Sequence, residues 1–425
     1  MSVFFKLATS FSVYPLRIAS LLGFLVASIG FGTMLAGDSA ALPAALSEQG
    51  KKLMLVALDS LAAAQLEDGY FYSANKPYGY DDIPKYGIER YDRYRIANPQ
   101  AAGIFAKVAL ELKKNDPVRS KHYSEVADKI YRSTACSWED LSLGNEKLPF
   151  NKLLITPKML FAETYLSKLT GDPKYMKSLD KNVELLCELI ENRTYLEPAF
   201  RRYGETTYYV FGNPINFDFL WVPTFFLREY PKHPQAERLK KAMLVFVADI
   251  ERLSNIEPWR QTMDLEKEGK APARFPSPQP ISYWTMLGCG LARLGMVLDR
   301  PDIVRLGERQ LQWALGNNPY DVSVVPGIGD RFLGVGLMMY WEPEYYLTHP
   351  PVKGKLVYAP GCVPKTAFRT GAFKSPSGYS SMPVAADYAM DPGVMEYWQM
   401  MTGNFAAGAA AMHDAMQWLQ EKGKP

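Results

Sequence analysis

The feature that most constrains the fold is a helix pair that recurs along the chain. An apolar helix, a tight turn and an amphipathic helix follow one another in ITPKMLFAETYLSKLTG and DPKYMKSLDKNVELLCELIE. The same order returns in PISYWTMLGCGLARLGMVLD and IVRLGERQLQWALG. Apolar residues at helical spacing predict about ten to twelve helices. Short turns predict antiparallel hairpins, and a closed ring of them collects its long loops, which carry function, at one end. A helical-repeat superhelix is the alternative, and the lack of a fixed period disfavours it.

Few segments favour strands, and the composition narrows the function. The short strand candidates are 202–212 and 321–325. A net charge of +3 over 425 residues, with no basic block, argues against nucleic acid as a partner. Aromatic residues make up 13% of the chain, which favours a surface that stacks on flat ligands or sugars. The chain is expected to act as a monomer.

The sequence gives little evidence for a metal site or for redox-active cysteines. The chain has four His, and its four Cys are scattered without a Cys-x-x-Cys pair. This pattern predicts neither a zinc site nor a disulfide framework. No cofactor and no metal are therefore expected, and the chemistry is assigned to carboxylates, Tyr, Arg and Lys.

The N-terminus carries a long uncharged apolar run, IASLLGFLVASIGFGTMLA, at 18–36. Its length suits a membrane span or a signal segment, and small residues follow it. The predicted organisation is thus a signal or membrane segment at 1–45 and one catalytic-like domain at 46–425. The segment is expected to engage a membrane, and the domain is expected to be exported to the periplasm or the extracellular space. Residues 1–32 also resemble the C-terminal membrane segment of family 2 glycosyltransferases.

The stretch WALGNNPYDVSVVPGIG ends a predicted helix with several residues that have special backbone preferences, namely Gly, Asn and Pro. Gly316 and Asn317 tolerate left-handed backbone angles, and Pro319 prevents the helix from continuing. Gly327 and Gly329 allow a close approach of the backbone to a ligand. Such a corner belongs at the functional end of a helical ring.

LGNNPYDVSVVPGIG resembles the LG-x-NP-x-x-x-S-x-V-x-G-x-G signature of glycoside hydrolase family 9. HPPVKGKLVYAPGC (349–362) and DYAMDPGVMEYWQMMTGNFAAGAAAM (387–412) are similar to later segments of that family, in the same order. The resemblance implies an all-α fold, the (α/α)6 barrel of six-hairpin glycosidases with long loops at one end. It also implies hydrolysis of a polysaccharide or oligosaccharide, with Glu396 as the catalytic acid.

The sequence departs from that family at the catalytic base. The family's Asp-Ala-Gly-Asp motif is absent: one alignment sets Ser73 and Lys76 under the two Asp, and the other sets Gly87 and Arg90 there. An inverting glycosidase needs two carboxyl groups about 6.5–9.5 Å apart. Replacement bases are available in the same loop at Asp81, Asp82, Glu89 and Asp92. Asp81 and Asp82 are favoured because they are adjacent carboxylates on an expected turn among Tyr residues, where burial and like charge shift a pKa.

Candidate substrate-binding residues accompany these carboxylates. Tyr and Arg alternate in ERYDRYR, and the loop YWEPEYYLTHPP carries further aromatic residues. Arg forks bind carboxylates or sulfates, and aromatic rings stack on sugars. The residues selected for substrate binding are Tyr91, Arg93, Asn318, Trp341, Tyr345, His349 and Trp398.

Three functions remain open at the level of sequence. The first is a glycoside hydrolase that uses general acid–base catalysis. The second is a lyase or epimerase acting on uronic acids, for which the loop rich in Tyr and Arg supplies a base and a carboxylate neutraliser. The third is a non-catalytic glycan-binding protein derived from a hydrolase, which the missing Asp pair favours.

Overall fold

The computed structural model is built almost entirely of helices in the part of the chain that it describes. It describes residues 44–63, 65, 98–135, 149–196, 198–202, 206–209, 218–255, 280–317, 323 and 399–423. In these ranges lie α1 (Ala44–Ala63), α2 (Asn98–Leu112), α3 (Pro117–Ala135), α4 (Pro149–Thr170), α5 (Pro173–Glu191), α6 (Asp218–Glu229), α7 (Ala236–Ser254), α8 (Pro280–Leu298), α9 (Pro301–Ala314) and α10 (Gln399–Lys422). The prediction of a mostly helical chain is confirmed.

One small antiparallel hairpin accompanies the helices. Strand β1 (Pro198–Arg202) pairs with β2 (Thr206–Tyr209), and the register shifts between Pro198 and Phe200. The predicted strand at 202–212 overlaps β2 and the last residue of β1. Of the second candidate, 321–325, the structure describes Ser323 alone, in a single bridge.

Proline sets the start of many helices. Five of the described helices, α3, α4, α5, α8 and α9, begin at a Pro. The Pro ring fixes φ near the helical value, and its missing N–H would have no partner in the first turn. The helix starts are therefore local properties of the sequence.

The described residues form two compact units, which we call unit 1 and unit 2. Unit 1 comprises the described residues up to Glu188 together with Arg228–Ala236, and unit 2 comprises Leu189–Leu227 together with the described residues from Glu237 onward. The predicted boundary between 1–45 and a single domain at 46–425 stays a prediction.

Unit 1 is centred on α2, which packs against α3 and α4. A Cβ on Gly103 of α2 would lie 2.3 Å from Phe161 of α4, so the glycine lets the aromatic ring fill the space between the helices. A hydrogen bond connects α1 to α3: the Tyr123 hydroxyl of α3 donates to Asp59 of α1 at 2.7 Å. These contacts join α1, α2, α3 and α4 around one apolar core.

Unit 2 depends on a close crossing of α8 and α9. A Cβ on Gly288 would lie 2.8 Å from the carbonyl oxygen of Gly307, and the reverse distance is also 2.8 Å. The helix α10 packs on the same pair, with Gly408 against Leu311 and the Thr285 carbonyl. Backbone therefore meets backbone at the centre of this three-helix group.

None of the helices in the described part of the chain is long and apolar enough to cross a membrane. The apolar run at 18–36 lies outside the described residues, so the membrane or signal segment stays a prediction.

The α8–α9 crossing predicts an unusual response to a Gly-to-Ala exchange. In an ordinary helix the exchange stabilises by up to about 1 kcal/mol. Gly307→Ala places a Cβ 2.8 Å from the Gly288 carbonyl and 3.1 Å from the Ala292 nitrogen, both backbone atoms that cannot move aside. We expect it to lower the free energy of unfolding by about 1–3 kcal/mol, measured by urea denaturation.

Gly423→Ala is the matched control, because its Cβ would make only an ordinary contact, 3.5 Å from the Leu419 carbonyl. It should leave the urea midpoint nearly unchanged. Equal midpoints for the two variants would contradict the close crossing.

Candidate functional site

Each described hairpin has one short turn and one end that leads into a longer connection. Short turns at 113–116, 171–172, 230–235 and 299–300 join α2 to α3, α4 to α5, α6 to α7 and α8 to α9. The longer connections precede α2, α4, α6, α8 and α10. In α4, which follows one of them, every residue from 155 to 167 is buried. The longer connection before α4 thus enters a buried helix at its N-terminal end.

The predicted site residues all fall in or beside two of these connections. Asp81, Asp82, Tyr91 and Arg93 precede α2, whereas Asn318, Trp341, Tyr345, His349, Glu396 and Trp398 lie between α9 and α10. All of them lie outside the described residues. Their roles and mutual distances therefore stay predictions.

The structure does describe the corner where the second of these connections leaves α9. Gly316 has a φ of 115°, and its N–H donates to the Trp313 carbonyl. The N–H of Asn317 donates to the Gln312 carbonyl at 3.0 Å. These two bonds form a Schellman motif, which satisfies carbonyls that a helix end would otherwise leave without partners. The predicted helix stop at Gly316 is confirmed.

The Ser of the same motif also closes the helix end. Ser323 is buried, and its hydroxyl donates to the Ala314 carbonyl at 3.5 Å. Gly316 and Ser323 occupy the Gly and Ser positions of the LG-x-NP-x-x-x-S pattern. In this part of the pattern, both residues have a backbone role: Gly316 stops α9, and Ser323 donates to a carbonyl of its last turn.

A buried lysine of α4 contacts a half-buried glutamine near the N-terminal end of α2. Lys158 of α4 is 4% exposed, and its Nζ lies 3.3 Å from Oε1 of Gln100 of α2. Gln100 lies in the first turn of α2, which follows the connection 66–97. Lys158 is therefore a buried cation beside the start of the helix that follows the segment containing Asp81 and Asp82.

A fully buried carboxylate lies farther along α4. Glu163 accepts from the Tyr131 hydroxyl at 2.7 Å, from the Ser178 hydroxyl at 2.5 Å and from the Asn182 amide at 2.8 and 2.9 Å. Burial raises the pKa of Glu163 to about 7, although these hydrogen bonds act to lower it. The group thus titrates within the physiological range.

Unit 2 holds a buried carboxylate with a different set of partners. Asp249 of α7 accepts from the Tyr195 hydroxyl at 2.7 Å and from Nε of Arg193 at 2.9 Å, and Arg252 lies 3.6 Å away. Burial and the bond to Asp249 raise the pKa of the Tyr195 phenol. Arg193 has a φ of 52°, and its bond to Asp249 holds this left-handed residue in place.

A buried guanidinium completes the polar interior of unit 2. Arg293 of α8 is 8% exposed, and its Cζ lies 5.8 Å from the Trp221 ring and 5.7 Å from the Phe225 ring, both on α6. These are cation–π distances. Arg293 lies toward the tight turn after α8 and away from the long connection that precedes it, which favours a role in packing.

Sequence reasoning missed Glu163, Asp249, Lys158 and Arg293. The available signal was a charged residue inside an otherwise apolar helical run, as in LFAETYL and CGLARLG. Their partners come from other helices, so no local pattern reveals them. Within the described residues, no group of three His, Cys, Asp or Glu side chains is placed to hold a metal ion.

Comparison with known proteins gives a result at the level of fold. No protein-family model and no curated protein matches the sequence. The structure is similar to the cellulase Cel9M of C. cellulolyticum, with a TM-score of 0.53 and 11% identity over 92% of this chain and 84% of that one. It is also similar to a metagenome-derived glycoside hydrolase family 9 endoglucanase, with a TM-score of 0.55 and 16% identity over 93% and 68%.

A third similar structure contains a bound oligosaccharide. It is endoglucanase CelQ from Clostridium thermocellum complexed with cellotetraose, with a TM-score of 0.52 and 15% identity. The match covers 93% of this chain and 61% of CelQ. The chain thus has a divergent fold of the kind found in family 9 glycoside hydrolases, as the motif resemblance implies.

The corner at Gly316 yields a testable consequence. A φ of 115° is accessible to glycine and strained for residues with a Cβ. We expect Gly316→Ala to lower the free energy of unfolding by about 1–2 kcal/mol in urea denaturation. Leu315→Ala is the control, because Leu315 is 42% exposed and has an ordinary φ of −94°. A larger loss for the Leu315 variant would contradict the strained corner.

Proposed function

We propose that the protein is a glycoside hydrolase that cleaves an oligosaccharide or polysaccharide by general acid–base catalysis. The observation that carries the proposal is the fold likeness to family 9 endoglucanases, which extends over 92–94% of the chain. The helix stop at Gly316 supports it, because this corner carries the motif match. The complex of CelQ with cellotetraose makes a β-glucan oligosaccharide the first substrate to test.

The proposed architecture is an (α/α)6 barrel with its long connections at one end. Four described hairpins with tight turns support it, as does the higher burial of α4 relative to α5. We further propose that the apolar run at 18–36 exports or anchors this domain outside the cytoplasm.

In the proposed mechanism, Glu396 protonates the leaving oxygen and an Asp of the connection before α2 deprotonates water. Inversion requires the two carboxyl groups about 6.5–9.5 Å apart, with the scissile bond between them. Asp81 and Asp82 are the proposed sources of the base. Tyr91, Arg93, Asn318, Trp341, Tyr345, His349 and Trp398 would bind the sugar through ring stacking, the Arg fork and hydrogen bonds.

A non-catalytic glycan-binding protein is the second candidate. One observation favours it, namely the absence of the Asp-Ala-Gly-Asp motif that supplies the base in the family. A retained aromatic cleft without a base would hold a glycan and leave it intact.

The decisive experiment incubates the full chain with cellotetraose and follows the products. If Glu396 is the acid, Glu396→Gln should lower turnover by at least about a hundredfold, because general acid catalysis contributes at that scale. Binding of cellotetraose, measured by calorimetry, should persist in this variant. Unchanged turnover in Glu396→Gln would exclude the assignment.

The variants Asp81→Asn and Asp82→Asn identify the base in the same assay. Loss of turnover in one of them, with binding retained, supports the proposed pair. Binding by the unaltered protein without any product supports the glycan-binding candidate. Elimination, the chemistry of a lyase on uronic acids, is tested with a uronic acid oligosaccharide as substrate, and a new absorbance in the short-wavelength ultraviolet from an unsaturated product would indicate it.

A further inference from the structure

The buried carboxyl of Glu163 lies where three helices of unit 1 meet. Glu163 is on α4, Tyr131 is on α3, and Ser178 and Asn182 are on α5. All four side chains are joined by hydrogen bonds, and the Glu163 side chain has no exposed surface. One ionisable group therefore links three consecutive helices.

The donors around Glu163 are neutral. Hydroxyl and amide groups donate to its oxygens, and Lys181 of α5 acts on it only through space. At the outer edge of α3 and α5, Arg132 and Lys174 both form ion pairs with Asp128. Among the described residues, a charged Glu163 thus has hydrogen bonds and no directly bonded cation to offset its burial.

We propose that Glu163 is a pH-sensitive latch of unit 1: its protonated form holds α3, α4 and α5 together, and loss of its proton lets these helices open locally. The proton allows the carboxyl group to donate a hydrogen bond as well as accept them. Without the proton, a full negative charge is buried among neutral groups. The latch acts on unit 1 and leaves α8, α9 and α10 unaffected.

The direction of the pH effect follows from linkage. The folded pKa of Glu163, about 7, is above its ordinary value of 4.5. The folded protein therefore holds the proton more tightly than the opened protein does. The stabilisation is complete below pH 4.5, declines as pH rises toward 7, and changes no further above the folded pKa.

Hydrogen exchange of the full chain, read by mass spectrometry and corrected for intrinsic exchange rates, tests the latch. Between pH 5 and pH 8 we expect the opening equilibrium of α4 peptides to increase by about fifty- to a hundredfold, since each pKa unit is worth a factor of ten. Peptides of α8 and α9 should not show this increase. In Glu163→Gln the increase in α4 should be lost.

Two further variants make the result specific. Ser178→Ala removes a hydrogen bond that lowers the pKa of Glu163, so the plateau in α4 opening should move to higher pH. This variant also tests the latch if Glu163→Gln fails to fold. Asp249→Asn alters a buried carboxylate of unit 2 that is paired with Arg193, and it should leave the α4 profile unchanged.

The same pH profile in Glu163→Gln and in the unaltered protein would overturn the proposal. So would equal opening of α8 and α9, because the transition would then be global. If α4 opening in Ser178→Ala levelled off at the same pH as in the unaltered protein, this result would also contradict a role for the hydrogen-bonded Glu163.

Discussion

The tight stops at the ends of the helices are the constraint on which the described architecture depends. The helix α4 ends at Gly171, whose φ is 71° and whose N–H donates to the Ser167 carbonyl. The helix α8 ends at Asp299, with a φ of 57°, and the Arg300 N–H donates to the Gly295 carbonyl. Because each stop satisfies its last carbonyls within two residues, the next helix begins at once and packs back on its predecessor. The longer connections then enter at the opposite end of each hairpin, which is where residues that carry function have room to vary.

Much of this could be predicted from sequence because the signals are local. Pro at the first helical position, Gly after the last, and apolar spacing determine where helices begin and end. The stop at Gly316 follows from such signals. The polar interior could not be predicted in this way. Glu163 and Tyr131 are neighbours only after α3 and α4 have packed, and a single charge in an apolar run does not reveal its partners. The candidate site stays a sequence inference, since Glu396, Asp81 and Asp82 lie outside the described residues.

Glu163 and Asp249 are comparably buried, and their neighbours give them different physical roles. Asp249 has a bonded guanidinium, so its charge is matched, and removal of Arg193 would take away the cation that donates to this buried carboxylate. Glu163 has hydroxyl and amide donors, which stabilise a charge less than a cation does. A buried carboxyl group with neutral donors, such as Glu163, is able to respond to pH. One that is paired with a cation, such as Asp249, keeps a fixed set of contacts. The two carboxyl groups are therefore distinguished by their hydrogen-bond donors, since both are buried.

The contacts that maintain the fold and the residues proposed for catalysis occupy different parts of the chain. The α8–α9 crossing is set by the backbone atoms of Gly288 and Gly307. The residues proposed for catalysis precede α2 or lie between α9 and α10. A chain can therefore keep the helical scaffold at 11–16% identity while its catalytic motif changes. What hydrolysis requires is a carboxylate at the right distance from the acid, not a particular position in the sequence. The Asp81–Asp82 pair offers two candidates for that base, and the proposed mechanism needs only one of them.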